Sequence, residues 1–114
     1  MKKVPRPYLL HIIGAIEQIG KHIAGFTKNK FIKDVKTQDA VVRQLEIIGE
    51  ASTRLEINFK KTHPEIPWKK IIGMRNKITH EYWDIDLNIV WHVATKQLSP
   101  LKKLLEPVVK KLKN

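Results

Sequence analysis

The chain has 114 residues, no cysteine and a net charge of +11. That length suits one domain whose core buries about 65% of the unfolded surface. Disulfides and thiolate metal sites are excluded, and a charge of this sign selects polyanions or an acidic protein as partners.

The spacing predicts helices nearly throughout. Leu9, Ile12, Ile16, Ile19, Ile23 and Phe26 recur at intervals of three and four, one apolar seam of a helix over residues 7–25. Gly25 is the expected stop, because glycine tolerates the left-handed conformation at a helix end. Residues 27–36 read as a basic, irregular connection pinned to the core by Phe31 and Ile32. Thr37, Gln38 and Asp39 then offer capping side chains for a second helix. Its seam runs through Val41, Leu45, Ile48, Ser52, Leu55 and Phe59. Another face carries Arg43, Glu46, Glu50 and Arg54, spaced to pair along the helix. Gly49 and Ala51 are small enough to let a neighbouring helix approach closely. Pro64 ends this stretch, since it disfavours helical backbone at His63.

Pro67 suits the first turn of a third, shorter helix over residues 67–79. Residues 80–84 read as its frayed end and a turn, and Asp84 or Asp86 can cap the final helix. There Leu87, Val90 or Trp91, Ala94, Leu98, Leu101, Leu105, Val108 and Leu112 keep the helical spacing to the C-terminus. Pro100 and Pro107 each remove an amide donor, yet the apolar phase continues across both. The reading is therefore one long helix kinked near Pro100, with a fresh helix capped by Ser99 as the alternative. From residue 96 onward six lysines face one acid. They form either a solvated helix face or a surface that attracts RNA backbone.

No strand-period alternation, repeat or low-complexity linker interrupts this pattern. The expected fold class is all-α, an up-and-down bundle of four main helices in a single domain over residues 1–114. The longest apolar run, residues 8–16, is broken by His11 and falls short of the ~20 residues that span a bilayer. No signal-peptide pattern follows the basic N-terminus. A cytoplasmic protein without membrane contact is the expectation.

The chemistry concentrates in Arg75-Asn76-Lys77-Ile78-Thr79-His80-Glu81-Tyr82. Arg75 is oddly placed. Trp68, Ile71, Arg75 and Ile78 share one stripe of the third helix, so a permanent cation interrupts an apolar face. It needs a buried partner or an opening onto a cleft; Glu46 or Glu50 could supply the partner. A guanidinium binds phosphate through a planar fork, and an imidazole moves protons near neutral pH. On a straight helix Arg75 and His80 point about 140° apart, whereas Asn76 and His80 share a face. Either the helix unwinds before His80, or two subunits complete one site across a two-fold axis. His11, His22, His63, His80 and His92 form no short ligand pair, and no glycine-rich phosphate loop is present. No metal or cofactor is expected.

These residues and their flanks resemble the HEPN superfamily, and within it the HepT-type toxins paired with minimal nucleotidyltransferases. The family's Arg-x-x-x-x-His-x-Tyr mark is matched by Arg75, His80 and Tyr82, with the polar Asn76 after the arginine. The run from Gln38 through Arg43 and Glu46 to Ala51 resembles the family's second helix. His63-Pro64-Glu65-Ile66-Pro67-Trp68 and Ile72-Gly73-Met74 resemble its approach to the motif, and residues 84–91 the start of its last helix. The resemblance implies the toxin of a toxin–antitoxin pair: a homodimeric, metal-independent endoribonuclease with its cleft at the subunit interface. Arg75, Asn76 and His80 would be its catalytic residues, and RNA, tRNA or mRNA, its substrate. It further implies a cognate nucleotidyltransferase antitoxin that adenylylates Tyr82, and it favours the cleft for Asp39, while Arg43 and Glu46 either line the cleft one helix away or pair along their own helix. A non-catalytic helical adaptor that binds nucleotide or a nucleotidyltransferase is the competing reading.

Overall fold

The structure, a computed structural model, describes residues 4–80 and 84–112. Helix α1 spans Pro5–Ile23. Its prolines fall in the first turn, where amide hydrogens lack an intrahelical acceptor anyway. Leu9, Ile12, Ile16 and Ile19 are buried along the expected seam. Gly25 takes φ +78°, the left-handed stop.

The connection after it is not irregular. Lys28–Lys33 forms a short helix α2, because the Thr27 hydroxyl accepts from Lys30 N at 3.2 Å. Phe31 is fully buried and stacks on Trp91 at 5.2 Å, but Ile32 faces solvent. Helix α3 is Val35–Arg54, and its cap is Asp34 rather than the Thr37-Gln38-Asp39 group. The Asp34 carboxylate accepts from Thr37 N at 3.1 Å. Gln38 is already inside the helix and folds back, its Nε2 donating to the Phe31 and Ile32 carbonyls at 2.9 Å each.

Helix α3 also ends sooner than its apolar spacing suggests. Leu55 turns extended yet stays buried, and a separate helix α4, Ile57–Lys61, carries Phe59. Lys60 Nζ donates to Ser52 O at 3.2 Å, satisfying a carbonyl of the last turn of α3. Helix α5 is Trp68–His80. Trp68 Nε1 donates to His63 O at 3.0 Å, and His63 in turn donates from Nδ1 to Phe59 O at 2.9 Å. His63 thus has a structural role.

The last helix is continuous but not uniform. Asp86 caps α6, Leu87–His92, by accepting from Asn88 N at 2.9 Å. A π-helical turn, Val93–Gln97, then leads into α7, Leu98–Lys111. The irregularity therefore lies just upstream of Pro100. Pro100 has no amide hydrogen for the Lys96 carbonyl, and the wide turn absorbs that loss. Across it Leu98 N donates to Val93 O, so residues five apart come onto one face. Val93 and Leu98 are the buried pair, where regular spacing had put Ala94 in the seam. Pro107 sits inside α7 without ending it.

The expected all-α bundle of four main helices is what the chain forms, its fourth member being α6, the π turn and α7 together. Helix α3 packs between α1 and α5, α7 returns along α1, and α2 braces α3 and α6. Lys102 Nζ ties α7 to Glu17 of α1 at 3.1 Å. Among the described residues no helix is long and apolar enough to cross a membrane.

Candidate active site

The site begins at a missing side chain. Gly49 on α3 is buried, and a Cβ there would collide with Cβ and Cγ of Arg75. Only glycine lets α5 lie this close to α3, and the contact seats Arg75 directly on the α3 backbone. Its guanidinium then reaches Glu50, the next residue on α3: Nη2 donates to Oε2 at 2.7 Å. Nη1 donates to Asn76 Oδ1 at 3.1 Å. The partner of the cation in the apolar stripe is thus Glu50, not Glu46. Arg75 is not sealed in: its side chain keeps 29% of its surface exposed, with further N–H donors free of these two bonds.

Glu50 holds a second arginine. Arg54 donates to its Oε1 from Nη2 at 3.2 Å and from Nε at 3.4 Å. These hydrogen bonds, from Arg54 first and then Arg75, hold the Glu50 carboxyl below its usual value. Glu50 stays ionised and the row Arg54–Glu50–Arg75 keeps a net positive charge at neutral pH.

Helix α5 persists through His80, which is exposed, as is Asn76. Arg75 and His80 therefore diverge by about 140° around one helix. Tyr82 lies outside the described residues. Arg43 is exposed and Glu46 half-buried on α3, with Asp39 exposed one turn earlier than Arg43; none of the three bonds Arg75. Of the helix pairs expected along α3, only Glu50–Arg54 forms among the described residues.

Two grooves flank the Arg75 seat. One, about 250 Å³ between α1 and α3, is lined by Tyr8, His11, Arg43, Ile47, Glu50 and Arg54. The other, about 480 Å³ between α4 and α5, runs from Asn76 past Lys69 to Lys60 and Lys61. A third groove of about 470 Å³ between α5 and α6 is mostly apolar, with Met74, Ile78, Ile89 and Val93 among its walls. Among the described residues no cluster of histidines and carboxylates could hold a metal ion.

The site's fixed guanidinium and exposed imidazole lie within a stretch of known family. Residues 12–108 match the ribonuclease HepT-like family. The chain belongs to that family. It is 40% identical over 111 residues to a protein of Caldanaerobacter subterraneus subsp. tengcongensis named as a candidate RNase, covering 97% of this chain and 99% of that one. It is 40% identical over 110 residues to one of Thermococcus cleftensis named as probable ribonuclease HepT, covering 96% and 100%. A Methanocaldococcus jannaschii protein, also named as a candidate RNase, is 35% identical over 109 residues, covering 96% and 90%. No solved structure matches significantly.

Around the Arg75 seat the sequence pointed to Arg75, Asn76 and His80, to Glu46 or Glu50 as the partner of Arg75, and to Arg43 as a possible lining residue. It passed over Tyr8 and His11. Tyr8 stands in the longest apolar run, and no local pattern marks it as a groove residue rather than core.

Proposed function

We propose that this HepT-like chain is a metal-independent endoribonuclease and the toxin of a toxin–antitoxin pair. The substrate's own 2′-hydroxyl attacks the adjacent phosphorus and the bond to the 5′-oxygen breaks. One product ends in a 2′,3′-cyclic phosphate, the other in a 5′-hydroxyl. His80 takes the 2′-proton, and the His80 of a second copy, or a water, returns one to the leaving oxygen. Arg75 stabilises charge on the pentacoordinate phosphate, and Asn76 orients the phosphate or the imidazole.

The observation that carries this reading is the fixed, partly exposed guanidinium of Arg75, 2.7 Å from Glu50 in a chain of a ribonuclease family. A cation held in place before substrate arrives needs no reorganisation at the transition state. The divergence of Arg75 and His80 on an unbroken helix supports a cleft completed by a second copy, each chain supplying part of the site. Tyr82, two residues beyond His80, is the acceptor of an adenylyl group from a nucleotidyltransferase antitoxin, which would block that cleft. The RNA is tRNA or mRNA.

The test is total RNA incubated with purified protein in EDTA, beside His80→Ala, with intact mass read on both samples. Cleavage by the unmodified wild type alone, leaving cyclic phosphate ends, is the expected result. An unmodified wild-type protein that leaves RNA whole would refute the assignment, and efficient cutting of DNA would refute the 2′-hydroxyl mechanism.

A further inference from the structure

We infer that the groove between α1 and α3 is a nucleotide subsite, in which Tyr8 stacks on a base of single-stranded RNA and Arg43 contacts its phosphate. The claim rests on the ribonuclease reading only for which strand is cut.

The groove joins features that single-strand binders combine, an aromatic platform and cations along the backbone path. Tyr8 is half-buried, packed in part against the core, and so its ring is anchored while it still lines the groove. Tyr8 and His11 lie nearly one turn apart on α1. Across from them Arg43, Ile47, Glu50 and Arg54 recur at four, three and four along α3, so all four line one wall. His11 and Arg43 are exposed and have no side-chain hydrogen bond or ion pair among the described residues. The one acid, Glu50, is occupied by Arg54 and Arg75, which leaves the wall net positive.

Position strengthens the case. Glu50 lines this groove and holds Arg75 at 2.7 Å, so groove and candidate catalytic cation share a carboxylate. A strand whose scissile phosphate rests on Arg75 would carry its next nucleotide into the groove. Size fits as well. About 250 Å³ is below the ~300–1,000 Å³ of ordinary ligand pockets. A space that small takes a single base rather than a helix of a partner protein.

The experiment measures binding of a fluorescein-labelled single-stranded RNA to the full chain carrying His80→Ala, which cannot cut its probe. Tyr8→Leu, Tyr8→Phe and Arg43→Gln are added singly, and Lys110→Gln with Lys111→Gln serves as a charge control on α7. Tyr8→Leu keeps the apolar packing but removes the flat ring, and should weaken binding about tenfold. Tyr8→Phe should bind as the parent does. Arg43→Gln should weaken binding and lower the slope of log affinity against log salt by about 0.7, one phosphate contact. In the cleaving protein, Tyr8→Leu should raise KM and leave kcat alone.

Unchanged affinity in both Tyr8→Leu and Arg43→Gln would overturn the subsite. So would a loss no larger than that of the lysine control, which would mark a general charge effect. Normal RNA binding with loss of a nucleotidyltransferase partner would overturn it in favour of protein docking. If wild type binds RNA through Tyr8 and Arg43 but cuts none, the subsite stands and the ribonuclease reading falls. If wild type cuts RNA and Tyr8→Leu leaves KM unmoved, the reverse holds.

Discussion

Replacing Gly49 by alanine would put a methyl group where Cβ and Cγ of Arg75 now lie. Those atoms cannot swing aside, because Arg75 Cα itself is 3.3 Å from the new carbon. Carbon pairs settle at about 3.5–4.0 Å, so α5 must retreat from α3 by about 1 Å or more. Overpacking of this kind costs about 1–3 kcal/mol, and the better helix propensity of alanine returns up to about 1 kcal/mol. The net loss, up to about 2 kcal/mol, should lower Tm by up to roughly 10 °C, read by circular dichroism. Activity should fall further than stability. Moving Arg75 by about 1 Å from a productive position is worth on the order of 100-fold in rate, measured well below Tm where the protein is folded. Gly20→Ala on α1 is the control. Nothing lies within 4 Å of its added Cβ, so it should stabilise by up to about 1 kcal/mol without touching cleavage. A Gly49→Ala protein that melts with wild type and cuts RNA at the wild-type rate would refute the seat described for Arg75.

Other perturbations report on other parts of the argument. Asp34→Ala should cost about 1 kcal/mol in urea unfolding through loss of the α3 cap, while Asp39→Ala should cost almost nothing. Phe31→Ala removes a fully buried ring shared with Trp91 and should cost about 3–5 kcal/mol by the same assay. Glu50 has its pKa lowered from 4.5 by Arg54 and Arg75, so its stabilising contribution is present above that value and lost as pH falls through the lowered one. Melting curves taken from about pH 6 to about pH 3 should show this loss in wild type and lack it in Glu50→Gln. Glu50→Gln should also slow RNA cleavage at neutral pH, since Arg75 loses the ionic half of its anchor.

The main helices could be read from the chain because each buries one seam, and a seam leaves a period of three and four. The pieces that escaped have no period to show. Helix α2 buries only Phe31, so its six residues look like any basic loop. The break at Leu55 is invisible because α4 resumes with Phe59 close to the phase of α3, and only backbone dihedrals reveal the interruption. At the site, the cation in an apolar stripe and the small Gly49 were both legible, and together they describe the α3–α5 contact. Which acid meets Arg75 was not. Glu46 and Glu50 lie one turn apart on the same helix, and only the height at which α5 crosses Gly49 selects Glu50. The α1–α3 groove depends on a tertiary pairing of Tyr8 with Arg43, which no local spacing encodes.

The wide turn at Val93–Gln97 has a bearing on chain length. Because Val93 and Leu98 share a face five residues apart, the segment holds one residue more than a regular helix needs there. Removing a single residue from 94–97 would set those two side chains four apart, the ordinary α-helical interval. Leu101, Leu105 and Val108 would keep their places against α1. A chain shortened there by one residue would keep the same buried faces and lose the wide turn, leaving Pro100 to kink the last helix instead.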